Sequence, residues 1–382
     1  MWRNGEIKNR LEIKKEGMKK HTLSVVVPCY NEEATLGACI QRLLAIEDAH
    51  LKLEVIIVDD CSKDKSIVIA KKLAGDHNQI KLLTHAVNQG KGAALRTGFR
   101  AATGNFVAVQ DADLEYDPQD LKGLLTPLIN GYADVVLGSR FLSGKERRVL
   151  YFWHTLGNKF LTFLSNMFTD LGLTDMETCY KVFKREIIQS IVIEENRFGF
   201  EPEIIAKIAE KNVRVYEIGI SYHGRTYAEG KKIKLKDGFR ALYCVFHYSA
   251  HRAILPIQIL VYFFIGGTAA AVNMISFATL NTGGWFGSEV NVLSAYVIAA
   301  LSNYWLCIKF LFKHNARWGN VGEFSAYFLV VVIGGLMDLM FYLGFSYWSV
   351  KPLMAKFLAT LLLFFANFFM RKIIVFPEKI PS

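Results

Sequence analysis

The sequence predicts an α/β domain with a mostly parallel sheet, followed by an all-α membrane domain. The chain has 382 residues, with 45 basic and 35 acidic side chains, and only a small minority of these lie beyond residue 254. In the first half, short Val-, Ile- and Leu-rich runs alternate with stretches of helical periodicity. This composition excludes a purely soluble protein, and the 28 Phe and 16 Tyr residues exclude a disordered one.

The α/β domain is predicted over residues 22–230. Its strands are predicted at residues 24–28, 54–60, 80–84, 106–111 and 134–138. In parallel sheets, ligands bind at the carboxyl ends of the strands. Polar clusters occur at three of these ends, at residues 28–33, 59–62 and 110–115. The sequence therefore predicts one ligand site where these clusters meet.

Three carboxylates follow the fourth predicted strand at alternate positions: Asp111, Asp113 and Glu115. In an extended segment, residues two apart project to the same side, so these carboxylates are expected to converge. Clustered carboxylates repel one another unless a cation joins them, and hard oxygen ligands suit Mg²⁺ or Mn²⁺. Because no Walker-type glycine loop is present, we expect the metal to bind the phosphates of a ligand.

Charge and cysteine content limit the partners. The net charge of +10 in a chain with a membrane half indicates anionic lipid headgroups and phosphate ligands, and no motif for nucleic acid accompanies it. The six cysteines include no C-x-x-C pair, which argues against zinc and a disulfide framework. Residues 1–21 form a basic extension without an apolar core, so we expect no secretory signal and a cytoplasmic first half.

The membrane domain is predicted over residues 255–382. Its four helices are expected at about residues 255–280, 291–312, 323–348 and 352–376, each near the roughly 20 residues needed to span a bilayer. Basic residues follow the second and fourth helices, whereas only Glu289 follows the first. By the positive-inside rule, we expect a multi-pass protein of the cell inner membrane, or an equivalent membrane, with both ends cytoplasmic.

The membrane half also repeats itself. Ile265-Gly266-Gly267 recurs as Ile333-Gly334-Gly335, and Asn303-Tyr304 recurs at a nearly equal offset as Asn367-Phe368. This predicts two similar helical hairpins with glycines at close helix contacts. Residues 231–254 alternate basic with aromatic and aliphatic side chains, which predicts an amphipathic segment in the membrane interface.

The ordered motifs of the first half carry a resemblance. They are Val-Pro-Cys-Tyr-Asn-Glu at 27–32, Val-Asp-Asp-Cys-Ser at 58–62, Asn-Gln-Gly-Lys-Gly at 88–92, Asp-Ala-Asp at 111–113 and Gly-Ser-Arg at 138–140. Over about residues 22–232, this set resembles family 2 glycosyltransferases with a GT-A fold, and more narrowly the polyprenyl-phosphate glycosyltransferases of the dolichyl-phosphate mannose synthase type. The membrane half, from residue 255 onward, resembles the small four-helix GtrA-like membrane domain that accompanies these enzymes.

The resemblance implies roles for individual residues. The nucleotide-sugar pocket would include Pro28, Tyr30, Glu32, Val58, Asp60, Asp111, Ala112, Asp113, Arg225 and Lys231. The metal would be held by Asp111, Asp113 and Glu115, and the acceptor phosphate by Arg140, His154 and Asn158. The last two stand where relatives have Arg and Ser. The catalytic residues would be Asp111, Asp113, Arg140 and Asp175, of which Asp175 orients the sugar or serves as a base.

The implied reaction is metal-dependent, inverting transfer of a hexose from GDP-mannose or UDP-glucose to a dolichyl or undecaprenyl phosphate, giving a polyprenyl-monophosphate sugar. Two alternatives remain open. A processive polysaccharide synthase would carry Gln-x-x-Arg-Trp, but here His314 precedes Arg317-Trp318 at the matching place. A flippase for lipid-linked sugar in the membrane half is motivated by Asp338 and by intramembrane asparagines. The membrane helices could also join copies of the chain into a homo-oligomer.

Overall fold

A computed structural model describes residues 20–142, 144–149, 151–226, 235–283, 288–312, 320–350, 358, 362 and 364–375. The chain divides into two compact units, Met1–Tyr248 and Ser249–Ser382. Several residues used in the sequence analysis lie outside the described residues: 1–19 of the N-terminal extension, Lys231, and His314 with Arg317-Trp318.

The first unit contains the predicted α/β sheet. Its strands are β1 (His21–Cys29), β2 (Leu51–Asp59), β3 (Ile80–Thr84), β4 (Phe106–Val109), β5 (Val135–Ser139), β6 (Lys181–Lys184) and β7 (Val215–Gly219). They lie in the order β3-β2-β1-β4-β6-β5-β7. All neighbours pair in parallel except β6, which is antiparallel to both β4 and β5. The mostly parallel sheet is therefore confirmed.

Helices alternate with these strands. They are α1 (Leu36–Leu44), α2 (Ser66–Asp76), α3 (Lys91–Ala101), α4 (Asp120–Ile129), α5 (Phe152–Thr169), α6 (Arg185–Gln189), α7 (Phe200–Glu210) and α8 (Leu235–Ser249). The sheet is hydrophobic on both faces: Val25, Val26 and Val27, which are consecutive in β1, are all completely buried. Continuous apolar strands of this kind are typical of parallel sheets covered by helices.

The topology determines where the polar clusters lie. Strand β1 pairs in parallel with β2 on one side and with β4 on the other, so the carboxyl ends of these three strands are neighbours. Strands β5 and β7 end at the same edge, because β5 is antiparallel to β6 and β6 is antiparallel to β4. Residues that follow β1, β2, β4, β5 and β7 therefore meet at one edge of the sheet.

The second unit is helical. It contains a 3₁₀ turn (Ala250–Arg252), α9 (Leu255–Gly283), α10 (Ser288–Leu306), a π-helix (Cys307–Leu311), α11 (Asn320–Tyr347) and a π-helix (Arg371–Val375), which is preceded by helical residues 364–370. Among the described residues, Leu255–Val272 is long and apolar enough to cross a bilayer, and Val297–Leu311 and Ser325–Gly334 are shorter apolar stretches. Residues 352–357 of the fourth predicted span lie outside the described residues.

Candidate active site

Asp60, which directly follows β2, holds the loop that leads into α3. Its carboxylate accepts hydrogen bonds from the backbone N–H groups of Gln89 at 2.9 Å and Gly90 at 2.7 Å, and its Oδ1 lies 2.7 Å from Nδ1 of His85. Gly90 has φ +101°, and a Cβ at this position would collide with the carbonyl oxygen of Asn196. By binding the N–H of Gly90, Asp60 also fixes the position of Lys91, the residue that follows Gly90.

Lys91 is the partner of the first carboxylate in the acidic motif. Its Nζ lies 3.0 Å from the Asp111 carboxylate and 3.1 Å from Oε1 of Glu201 at the start of α7. Although burial alone would lower it, the pKa of Lys91 is raised by the charges of Asp111 and Glu201. The lysine therefore remains a cation inside the site.

Arg225 binds the other two carboxylates of the motif. Its Nη2 donates to Oδ2 of Asp113 at 2.8 Å, its Nε donates to Oε1 of Glu115 at 3.0 Å, and its Nη1 lies 4.0 Å from Oε2 of Glu32. Arg225 follows β7, whereas Glu32 follows β1 and the acidic motif follows β4. One guanidinium thus joins three of the loops at this edge of the sheet.

This arrangement corrects one expectation from the sequence. Residues 111–115 form a bend instead of an extended segment, because β4 ends at Val109 and the N–H of Glu115 donates to Oδ1 of Asp113 at 3.1 Å. Asp111 is consequently directed to Lys91, and Asp113 and Glu115 to Arg225. Within the described part of the chain, no three His, Cys, Asp or Glu side chains are grouped as a metal site.

The donor set nevertheless fits a divalent cation. Burial and the charges of Asp111 and Glu115 raise the pKa of Asp113 from 3.8 to about 7. A carboxylate whose charge is opposed by its neighbours is stabilised by an added cation, and carboxylate oxygens are the ligands that Mg²⁺ and Mn²⁺ prefer. The residues that would supply these ligands are the three carboxylates of the motif.

Arg140, which follows β5, forms a two-pronged ion pair with Asp175. Its Nε and Nη2 donate to the two carboxylate oxygens, each at 2.7 Å, and its backbone N–H donates to Oδ2 at 3.0 Å. Asp175 is completely buried and also accepts a 3.4 Å hydrogen bond from Nδ2 of Asn158. The carboxylate thus holds Arg140 in place, with both of its oxygens already engaged.

An open cleft lies beside this ion pair. It is lined by Arg140, Phe141, Arg147, Arg148, Val149, His154, Thr155, Asn158 and Tyr222. Nη1 of Arg147 donates to the carbonyl of Arg140 at 3.3 Å, and Nη1 of Arg148 donates to the carbonyl of Gly224 at 3.1 Å. Among the described residues, the lining contains three guanidinium groups and no carboxylate, which favours an anionic ligand.

Tyr222 connects the acidic motif, which contains Asp111, Asp113 and Glu115, with the cleft. Its hydroxyl donates to Oε2 of Glu115 at 2.9 Å, and its ring faces the Arg140 guanidinium at 5.1 Å. Its ring also packs against Tyr116 at 5.3 Å. The two sites are therefore separated by one aromatic side chain.

Helix α5 has two different faces. His154 and Asn158, one turn apart, line the cleft. Large apolar side chains on the same helix are 45–76% exposed: Phe152, Trp153, Leu156, Phe160 and Phe163. Leu156, Phe160 and Phe163 follow helical spacing, so they form an exposed apolar stripe next to the cleft.

Helix α8 begins four residues after the start of the predicted amphipathic segment. Arg240 pairs with Glu195 at 2.6 Å, Cys244 is completely buried, and Phe239 is exposed. The rings of Phe246 and Phe168 are in edge contact at 5.1 Å. One face of α8 therefore packs on the α/β unit, which the sequence did not predict.

The remaining residues predicted for the nucleotide pocket lie at the same edge. Tyr30 is 36% exposed, whereas Val58 and Ala112 are buried. Pro28 is half-buried in β1. Lys91 was quoted from the sequence only as part of the motif at 88–92, without a role, and Arg147, Arg148 and Tyr222 were not predicted. The only signal for the two arginines was the short charged run at 145–148, which reads equally well as a solvated loop.

Comparison with known families supports the division into two units. Residues 24–192 match glycosyl transferase family 2, and residues 261–376 match the GtrA/DPMS transmembrane domain. The resemblances expected from the sequence for both halves are thereby confirmed.

Two curated relatives are informative. The dodecaprenyl-phosphate galacturonate synthase of Rhizobium johnstonii is 28% identical over 212 residues, which cover 55% of this chain and 61% of the relative. The chain therefore spans less than two thirds of that protein. The dolichol-phosphate mannosyltransferase of Pyrococcus furiosus is 23% identical over 346 residues, which cover 90% of this chain and 96% of the relative.

Among solved structures, glucosyl-3-phosphoglycerate synthase of Mycobacterium tuberculosis in complex with Mn²⁺ and UDP-glucose has a similar fold. It matches with a TM-score of 0.50 and 18% identity, over 62% of this chain and 82% of that chain. This similarity concerns the fold alone, and it agrees with the predicted GT-A architecture.

Proposed function

We propose that this chain, in which a glycosyl transferase family 2 domain precedes a GtrA/DPMS transmembrane domain, transfers a hexose from a nucleotide sugar to a polyprenyl phosphate at the cytoplasmic membrane face. One observation carries the proposal: Tyr222 lies between an acidic cluster suited to a metal-bound diphosphate and an arginine cleft suited to a phosphate. The names of the Rhizobium and Pyrococcus relatives, both of which refer to polyprenyl-phosphate sugars, support the acceptor class.

The donor side is formed by the loops after β1, β2 and β4. The donor's diphosphate would lie at Asp111 and Asp113, with Glu115 as a further metal ligand. A divalent cation bound there would neutralise the charge that develops on the departing nucleoside diphosphate. Lys91 and Arg225 already contact these carboxylates, so cationic donors are available for the phosphate oxygens.

The acceptor side is the cleft of the three arginines. A phosphate monoester has a second pKa near 6, so the acceptor is largely a dianion at neutral pH. Arg140 is held by Asp175, and Arg147 and Arg148 add positive charge beside it. They supply cations in a region where His154 and Asn158 replace the arginine and serine expected from the resemblance.

The reaction needs two anions held in line. An oxygen of the acceptor phosphate would attack the anomeric carbon of the hexose from the face opposite the diphosphate. The new carbon–oxygen bond would form as the bond to the diphosphate breaks, which inverts the configuration. Because the acceptor is already ionised and Asp175 is bound to Arg140, we assign Asp175 a positioning role instead of that of a general base.

The apolar stripe of α5 supports a location at the bilayer surface. Leu156, Phe160 and Phe163 are exposed on the helix that also lines the cleft. Insertion of such side chains into the headgroup region is favourable in proportion to the apolar area buried. The cleft would then open where a membrane lipid carries its phosphate.

The donor can be identified in one experiment. The full chain, purified in detergent, is incubated with polyprenyl phosphate, Mg²⁺ or Mn²⁺, and radiolabelled UDP- or GDP-hexoses, and label is counted in the organic phase. We expect label from one donor only, with none when the metal is chelated or in Asp113→Asn. Asp76→Asn, which makes the same change at an exposed carboxylate at the end of α2, is the matched control. Absence of lipid label from every donor, while nucleotide still binds, would contradict the proposal.

A further inference from the structure

A buried arginine in the membrane unit carries a second inference. Arg371 is only 7% exposed, and its Nη1 donates to Oδ1 of Asn303 and lies 3.9 Å from Sγ of Cys307. Its guanidinium also faces the rings of Tyr327 at 4.8 Å and Tyr262 at 5.5 Å. These neighbours are neutral, and Nε of Arg371 is buried without a hydrogen-bond partner among the described residues.

A charge in this environment needs an anion. Burying an ionised group is costly unless an opposite charge and hydrogen bonds compensate it. No described carboxylate contacts Arg371. Asp338 lies three turns beyond Tyr327 in α11, which corresponds to about 16 Å along the helix axis. Glu323 precedes Tyr327 by one turn of the same helix.

The cluster lies at one end of the helical unit. Tyr262 and Tyr327 are each two turns from the start of α9 and α11, or about 10 Å along the axis. Asn303 lies in the last turn of α10, and Arg371 follows the helical residues 364–370. Because successive segments run in opposite directions, two helix beginnings and two helix ends meet here.

Other cations lie at the same end. Nζ of Lys372 donates to Oε1 of Gln258 at 2.7 Å, and Nζ of Lys309 lies 4.3 Å from the ring of Trp305. The sequence predicts that this end faces the cytoplasm, where lipid phosphates are available. Arginine binds phosphate through several N–H donors on one planar group. Asn303 and Cys307 contact only Nη1 of Arg371, so they do not engage all of its donors.

The internal repeat marks the same place. The π-helices Cys307–Leu311 and Arg371–Val375 have the same separation along the chain as Asn303 and Asn367. Cys307 and Arg371 thus occupy matching positions in the two halves, and they contact each other. At this matched position only the second half has a charged side chain, so the pair departs from the internal symmetry.

We propose that the end of the membrane unit around Arg371, Asn303 and Tyr327 is a binding site for the phosphate group of a membrane lipid. The bound phosphate supplies the counter-charge that no described residue provides to Arg371, with Lys372 and Lys309 at its periphery. The site goes beyond the proposed hexosyl transfer, because the arginine cleft of the α/β unit is sufficient to bind the acceptor of that reaction.

The test counts bound lipids on the full chain by native mass spectrometry, with added polyprenyl phosphate. We expect two bound molecules in the wild type, one in Arg140→Gln, one in Arg371→Gln and none in the double variant. If Arg371→Gln lost one lipid and Arg140→Gln lost none, the result would support the site at Arg371. The same result would contradict the assignment of the arginine cleft as the acceptor site. Polyprenol without phosphate should bind at neither place.

A second variant separates binding from folding. Asn303→Asp places a carboxylate where Arg371 now contacts an amide, so the melting temperature in lipid-free detergent should be kept or raised while the second lipid is lost. Glu323→Gln should retain two lipids. Competition with phosphatidylglycerol identifies the source: displacement indicates a general phospholipid, and none indicates polyprenyl phosphate. Retention of both lipids in Arg371→Gln and Asn303→Asp, or equal binding of polyprenol, would overturn the proposal.

Discussion

The hydroxyl of Tyr222 donates a hydrogen bond to Oε2 of Glu115 at 2.9 Å, and the centre of its ring lies 5.1 Å from the Arg140 guanidinium. This relationship links the loop after β4 with the loop after β5 through a residue that follows β7. The two anionic substrates of the proposed reaction would meet at this tyrosine.

Tyr222→Phe separates the two contacts of this residue. The variant keeps the ring beside Arg140 and removes a hydrogen bond to a charged group, which contributes about 1.5–3 kcal/mol. We expect kcat/KM for hexosyl transfer to fall at least about tenfold, and Tyr222→Ala to lower it further. The exposed Tyr216 provides the control, because Tyr216→Phe should leave the rate unchanged. Equal rates for wild type and Tyr222→Phe would exclude a role for the hydroxyl.

Removal of the Asp175 carboxylate should disturb the position of Arg140 and should leave the proton transfers of the reaction unchanged. Leaving one partner of a buried ion pair alone costs about 3–5 kcal/mol, so Asp175→Ala should lower the melting temperature. Asp175→Asn retains the shape and should raise the KM for polyprenyl phosphate without moving the pH–rate profile. If the acidic limb of that profile disappeared in Asp175→Asn, the residue would be a general base.

The cleft arginines should act on the acceptor only. Arg147→Gln and Arg148→Gln each remove a cation that lines the cleft, so we expect a several-fold increase in the KM for polyprenyl phosphate and an unchanged KM for the nucleotide sugar. Initial rates at varied concentrations of each substrate provide the measurement, with Lys52→Gln as a charge-matched control. A change confined to the nucleotide-sugar KM would assign the cleft to the donor.

The sequence located the edge of the sheet but not the contacts within it. The predicted β3 has the observed bounds, and β4 was predicted two residues too long. That error mattered, because an extended segment through Asp111 and Asp113 would have directed both carboxylates to one point. Lys91 and Arg225 are far apart in the chain, and no periodic pattern in the sequence predicts that both contact the acidic motif.

Side-chain partners were harder to predict than strand positions for a physical reason. Strands are recognisable because buried apolar runs have a regular period, whereas ion pairs between loops depend on three-dimensional distance alone. Tyr222 lies in an irregular segment after β7, where the local sequence contained no indication of its role. Arg148 lies in the charged run after β5, which is equally typical of a solvated loop. The π-helices are likewise set by packing, although the repeated Asn303 and Asn367 marked their neighbourhood.

Stability should depend on pH through Glu177. Burial and then the charge of Glu201 raise the pKa of the Glu177 carboxyl from 4.5 to about 8. The folded protein therefore binds more protons than the unfolded chain between these values, so the free energy of unfolding falls as pH rises through this window. Melting temperatures measured from pH 5 to 9 should decline more steeply for wild type than for Glu177→Gln, with the variant favoured at the alkaline end. Parallel curves would contradict this assignment.

The apolar stripe of α5 should matter only at a bilayer. Phe160→Ser and Phe163→Ser shorten exposed side chains that do not line the cleft. We expect transfer to polyprenyl phosphate in vesicles to fall several-fold, with transfer to a short, water-soluble prenyl phosphate retained. Tyr132→Ser, at another exposed aromatic position, should change neither rate. If the variants lost transfer activity equally with both acceptors, the substitutions would act on folding or on the cleft and not on membrane binding.

The proposed reaction transfers the hexose alone, without its phosphate, to a lipid phosphate. The most direct measurement uses a nucleotide sugar labelled with ³²P at the β-phosphate and with ³H in the hexose, incubated with purified chain and polyprenyl phosphate. We predict ³H in the organic phase and ³²P in water-soluble nucleoside diphosphate. Both labels in the lipid would show transfer of a sugar phosphate, and ³H in water-soluble polysaccharide would show a synthase. Either result would contradict the proposed hexosyl transfer.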